Sequence, residues 1–168
     1  MKAMEYFDVV NEKDEVIGKA GREECHSNPN LIHRTIHFTL IDKSDKKIFI
    51  TQRSFTKPND AGKWCFLGEH ISRGENYDEA VKRGVREELG FIPSKYKELV
   101  NHIFSYDKQT ELVRFFLVDW NGEKINFDNE EIVKTDWLSP NELLKNSLDY
   151  SEMTRYWIKS VNWKEVLN

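Results

Sequence analysis

The residues from Gly74 to Phe91, GENYDEAVKRGVREELGF, carry carboxylates at spacings that can do chemistry. Positions three and four apart share one face of a helix, so Glu88 neighbours Gly84, and Glu87 lies beside both. Glu75 stands just ahead of the helix start. Carboxylates held together repel one another, and the group favours a hard divalent cation such as Mg2+. Mg2+ bridges phosphate oxygens, which makes a diphosphate the natural substrate class. A solvated acidic helix face reads the same way if only REEL is considered. The anomaly is Gly84: glycine inside a helix costs roughly 1 kcal/mol relative to alanine, and this one stands where another carboxylate would complete the cluster.

These residues need elements to position them. The stripe Ala80, Val81, Val85 and Leu89 predicts a helix over 76–89, with Gly90 as its stop. Ahead of it, EYFDVVNEKDEVIGKAGR reads as two short strands around a turn at Asn11–Glu15. Residues 22–33 form a polar loop or short helix. TIHFTLIDKSDKKIFITQRS alternates on both sides of a polar turn at Asp42–Lys47 and predicts a hairpin. FTKPNDAGKW is a loop, and CFLGEHISRGE a strand leading to a turn. Strands are also expected in KELVNHIFSYD, TELVRFFLVDWNG and near EEIVKTDWL. Ser139, Pro140 and Glu142 form a capping-box start for a helix, and SEMTRYWIKSVNWKEVL reads as one closing helix. The sum is a mixed α+β chain in one domain over residues 1–168.

The bulk properties exclude several classes. With 168 residues, 39% hydrophobic and 32% charged, the chain can bury a real core. A net charge of −4 argues against a general nucleic-acid binder. No apolar run approaches the ~18 residues of a membrane span. The start, MKAMEYFDVV, lacks the regions of a signal peptide, and Cys25 and Cys65 show no CxxC spacing. Free thiols and a cytoplasmic location are expected.

The stretch resembles a Nudix box, G-x5-E-x7-R-E-U-x-E-E-x-G-U with U aliphatic, over residues 69–91. Glu75, Arg83, Val85, Glu87, Glu88, Gly90 and Phe91 fall on its positions. Two positions depart: Glu69 stands for the opening glycine and Gly84 for the glutamate after arginine. The resemblance implies a Nudix-type α/β/α sandwich and a hydrolase in which Glu87, Glu88 and Glu75 hold Mg2+ or Mn2+. In many such hydrolases the missing glutamate binds metal or acts as base.

More of the chain, roughly Phe7 to Leu144, resembles the type I isopentenyl-diphosphate isomerases, a branch of the same superfamily. That likeness implies a second divalent metal held by His26, His33, His70 and Glu111, with Gln109 where the family has another glutamate. It also implies diphosphate contacts from Arg22, Arg53 and Lys57, closed by Trp64, a Tyr106 near the reacting carbon, and Trp157 over the hydrocarbon part. His37 and His102 read only as strand residues. The isomerases carry an essential cysteine where this chain has Gly68.

Three functions follow as expectations. The first is metal-dependent cleavage of a phosphoanhydride in a small organic or nucleoside diphosphate, with Glu87, Glu88 and Glu111 as catalytic candidates and Glu130 or Glu131 as further candidates for the base. The second is an isopentenyl-diphosphate isomerase without its cysteine. The third is a ligand-binding or regulatory protein that has lost catalysis. The expected partner is a small diphosphate, with neither nucleic acid nor membrane; the oligomeric state, including a homodimer, stays open.

Overall fold

The structure, a computed structural model, describes residues 4–168. Strands β1 (Tyr6–Val10) and β2 (Val16–Gly21) pair antiparallel. Their turn is built by Asn11, whose side-chain oxygen accepts from the backbone N–H of Lys13 and Glu15 at 2.9 and 3.0 Å. A short helix α1 (Arg22–Cys25) leads into β3 (Ile32–Asp42), the central strand. β3 pairs antiparallel with β1, β4 (Lys47–Arg53) and β6 (Leu67–His70), and parallel with β8 (Thr110–Asp119) from Ile32↔Thr110 to Ile41↔Asp119. β5 (Trp64–Cys65) and β9 (Ile132–Leu138) extend the sheet from β4, and β7 (Tyr96–Ser105) extends it from β8.

The hairpin expected across residues 35–54 closes only at its turn. β3 and β4 pair at Ile41↔Ile48 and Asp42↔Lys47 and then separate. Beyond that point β3 takes β6 as partner, and β4 takes β5 and β9, so the sheet forks. Alternation marks both segments as strands but does not set their partners, and both are buried along most of their length.

Helices cover both faces, as the sandwich expectation requires. Helix α2 (Tyr77–Leu89) starts at a capping box between Asn76 and Glu79 and ends at Gly90, whose φ of 80° is the left-handed conformation glycine adopts without strain. Its buried Ala80, Val81, Val85 and Leu89 pack with Ile36, Phe38, Leu40, Phe116 and Val118. The opposite face presents Ile41, Val113, Phe115 and Leu117 to Trp157, Ile158 and Trp163. Helix α3 (Pro140–Lys145) begins at the Ser139–Glu142 capping box expected from the sequence. The closing segment is two helices, α4 (Glu152–Ser160) and α5 (Trp163–Val166), because the chain turns extended at Val161. Cys25 and Cys65 are free and buried.

Candidate functional site

Side chains alternate across a strand, so the neighbours Glu69 and His70 on β6 leave the sheet on opposite faces. Each joins a separate cluster of candidate groups.

On the α2 face, Arg83 gathers three carboxylates. Its Nε and Nη2 donate to the two oxygens of Glu75 at 2.7 and 3.1 Å. Its Nη1 donates to Glu69 at 3.2 Å and to Glu87 at 3.1 Å, and Nη2 also reaches the His70 carbonyl at 2.7 Å. Glu75 accepts a further bond from the Ser72 N–H at 2.9 Å, so both its oxygens are engaged. Glu88 lies deeper. Burial and the charges of Glu69 and Glu131 push its carboxyl up to about 8, against a smaller opposing pull from Lys57. Lys57 Nζ pairs with Glu131 at 2.7 Å, which places this cation and a third acidic group beside Glu88. Arg53, in the same loop region, donates through Nε to the Asn59 carbonyl at 3.2 Å. The candidate ligands on this face are all carboxylates, the oxygen chemistry that suits Mg2+ or Mn2+.

On the other face, His26, His33, His70 and Glu111 converge, each offering an atom within 4.8 Å of the others. His26 Nε2 and His70 Nε2 are 3.0 Å apart. His33 Nε2 and His70 Nε2 each stand 3.6 Å from Glu111 Oε1, too long for hydrogen bonds and consistent with groups facing a shared centre. His33 is fully buried, and neither of its ring nitrogens has a hydrogen-bond partner among the described residues. Phe7 stacks on His33 and His70 with centroids 5.2 and 5.0 Å away, fixing both rings. Burial and the neighbouring imidazoles lower His26 to about 4, which leaves it neutral and free to ligate. Burial opposes the charge on Glu111, but the facing imidazoles outweigh it and hold its carboxyl well below the usual range. Three imidazoles and a carboxylate, with orphaned buried nitrogens, fit a transition metal such as zinc, manganese or iron.

The remaining candidates scatter around these centres. Gln109 donates to Glu111 at 3.2 Å. Tyr106 is half-buried, and burial and the nearby Glu111 charge raise its phenol. Arg22 pairs with Glu5 at 2.9 Å, and its charge bears on His26. Trp157 is fully buried and stacks on Phe115, which makes it a core residue in this structure.

Two residues carry more than the sequence reading gave them. Glu69, noted only as a departure from the box, accepts from Arg83, and its charge bears on Glu88. His37, set aside as a strand residue, pairs in register with Gly68, and a Cβ on Gly68 would lie 2.8–2.9 Å from its ring. His37 Nδ1 accepts from Trp157 Nε1 at 3.0 Å, so the ring carries its proton on Nε2. Burial lowers it to about 4 and keeps it neutral. The imidazole thus fills the space where a side chain at 68 would go. No motif signals this; only the register of β3 against β6 does.

A family model for the NUDIX domain matches residues 32–157. An uncharacterized Nudix hydrolase of Nostoc sp. is 26% identical over 150 residues, covering 86% of each chain. An isopentenyl-diphosphate Delta-isomerase of Halobacterium salinarum is 24% identical over 153 residues, covering 86% of this chain and 71% of the relative. The crystal structure of DR0079 from Deinococcus radiodurans superposes with a TM-score of 0.72 at 23% identity, covering 90% of this chain and 96% of that one.

Proposed function

Because the chain belongs to the Nudix family, we propose that it is a metal-dependent hydrolase that cleaves a phosphoanhydride bond in a small organic or nucleoside diphosphate. The observation that carries this reading is the set of carboxylates around Glu88, bordered by Lys57 and braced by Arg83. Glu87 and Glu88 are the residues of helix α2 that would hold Mg2+ or Mn2+. What the bound cation supplies is charge neutralisation of the phosphates and a more acidic water.

The chain's own groups do the rest. Arg83 fixes Glu87, Glu69 and Glu75 relative to one another, so their mutual repulsion is met by a guanidinium rather than relieved by movement. Lys57 and Arg53 offer charge-assisted hydrogen bonds to the terminal phosphate. Among the candidates for the base, Glu131 bears on Glu88, while Glu111 belongs to the imidazole centre on the opposite face. Glu130 stands next to Glu131 in the turn just before β9.

The isomerase reading draws support from the His26, His33, His70 and Glu111 centre. Isomerisation adds a proton to one carbon and removes one from another, with groups on two sides. Glu111 serves one side. Residue 68 offers no side chain to the other, and the His37 ring already occupies that volume.

A 31P and 1H NMR time course with Mg2+ or Mn2+ decides between them. The substrates are isopentenyl diphosphate and a panel of nucleoside diphosphates and triphosphates. New 31P signals from cleaved phosphate are the expected result. Dimethylallyl proton signals with an intact diphosphate would replace the hydrolase by the isomerase. Binding without turnover in any tube would leave a ligand-binding protein.

A further inference from the structure

The box pattern calls for glycine at 69 and glutamate at 84, and this chain has the two residues in the opposite places. Taken alone, each departure looks like damage. In the structure they meet. A Cβ added to Gly84 would lie 3.0 Å from Glu69 Cγ and 3.5 Å from Glu69 Cβ, with Phe38 Cε1 at 3.3 Å closing the other side. The volume of a side chain at 84 is therefore filled by the side chain of Glu69, which crosses the helix at its one bare position.

From there the Glu69 carboxylate accepts from Arg83 Nη1 at 3.2 Å, and Gly84, whose space it fills, stands one helical turn before Glu88. A glutamate at 84 would sit on that same face, one turn from Glu88. The register Glu69↔Ile36 anchors β6 to the central strand, so the carboxylate is delivered from the sheet instead of the helix. We propose that Glu69 is a metal-ligating residue of this site and replaces, from β6, the carboxylate that Gly84 does not supply from α2. Gly84 is then the condition for Glu69 to pass, which accounts for a glycine inside an otherwise regular helix. This assignment rests on the hydrolase reading of the same site.

Mn2+ titration followed by electron paramagnetic resonance tests it without relying on turnover. The Glu88→Gln variant marks which class of bound Mn2+ belongs to the carboxylate centre and which to the imidazole centre. Glu69→Gln, nearly isosteric, should weaken that same class by roughly tenfold or more. The exchange variant Glu69→Gly with Gly84→Glu should return Mn2+ affinity and hydrolysis toward the wild-type range. Gly84→Glu alone should gain neither, because Glu69 occupies its space. An unchanged Mn2+ class in Glu69→Gln overturns the assignment. So does an exchange variant that folds, by its melting profile, yet binds Mn2+ as weakly as Glu69→Gly, or the absence of any class sensitive to Glu88. If Mn2+ binding follows Glu69 but wild-type protein cleaves no diphosphate, the hydrolase reading fails and the Glu69 assignment stands.

Discussion

His33 is fully buried with both ring nitrogens unpartnered among the described residues, and an unsatisfied buried polar group costs about 1–3 kcal/mol. A metal held by His26, His33, His70 and Glu111 would turn that cost into binding. A ligand that binds only the folded chain, at a hundred times its Kd, stabilises by about 2.7 kcal/mol. Zn2+ or Mn2+ should therefore raise the thermal midpoint by several degrees, and His33→Ala should lose most of that shift. An equal shift in the variant, with the fold kept, would remove this centre from consideration. The histidines were legible in the sequence only through a resemblance, since spacing alone does not say that 26, 33, 70 and 111 meet. Glu69 was legible only as a mismatch: its contact with position 84 depends on how β6 lies across α2, and no local period encodes that. His37 gave no signal at all, because its role in filling the space at Gly68 exists only between strands.

At the scale of the elements, the turn between β1 and β2 is tied to the site's helix by Asp14. Its carboxylate accepts from Arg34 Nε at 2.6 Å and from Tyr77 Oη at 2.9 Å, in the first residue of α2, and also from Arg114 on β8. Burial opposes the charge on Asp14, but the hydrogen bonds from Arg34, Arg114 and Tyr77 outweigh it, so its carboxyl is held below the usual range. The folded value is the lower one. Its contribution is therefore full above the ordinary carboxylate range and is lost as pH falls through the folded value. Asp14→Asn tolerates the positive φ of 65° at this position and keeps the turn while removing the charge. It should cost about 2 kcal/mol at neutral pH. The difference from wild type should shrink on acidification, as urea midpoints measured from pH 7 to pH 3 would show; a constant difference would mean the charge is not the cause. Caps and stops were readable in advance, as at Ser139 and Gly90, because they are satisfied by residues a few positions away. The fork of β3 from β4 was not, since alternation marks a strand and leaves its partners to be chosen by the whole sheet.

Across the whole molecule, one sheet serves two cores and two candidate centres. β3 contributes Ile36, Phe38 and Leu40 to the α2 side and Ile41 to the α4 side, while β8 contributes Phe116 and Val118 to the first and Val113, Phe115 and Leu117 to the second. Neither layer can separate without exposing the apolar residues of strands that the other layer also uses. The Nudix sandwich was readable from the box because that motif needs a loop and helix on a sheet; the closing segment, which supplies Trp157 and Trp163 to the second core, was read as a single helix. Trp157 is fully buried, stacks on Phe115 at 5.1 Å between centroids, meets Phe104 edge-on at 5.3 Å and donates to His37. Trp157→Ala removes a large side chain from that packing and should cost about 3–5 kcal/mol, a drop of roughly 10 °C in midpoint for a chain of this size. Since the strands are shared, the loss belongs to the whole molecule: circular dichroism of the backbone and of the aromatic side chains should fall together in one transition. Two separated transitions, with the aromatic signal melting first, would show that the α4 layer unfolds on its own and that the sheet, with the carboxylate centre on its other face, stands without it.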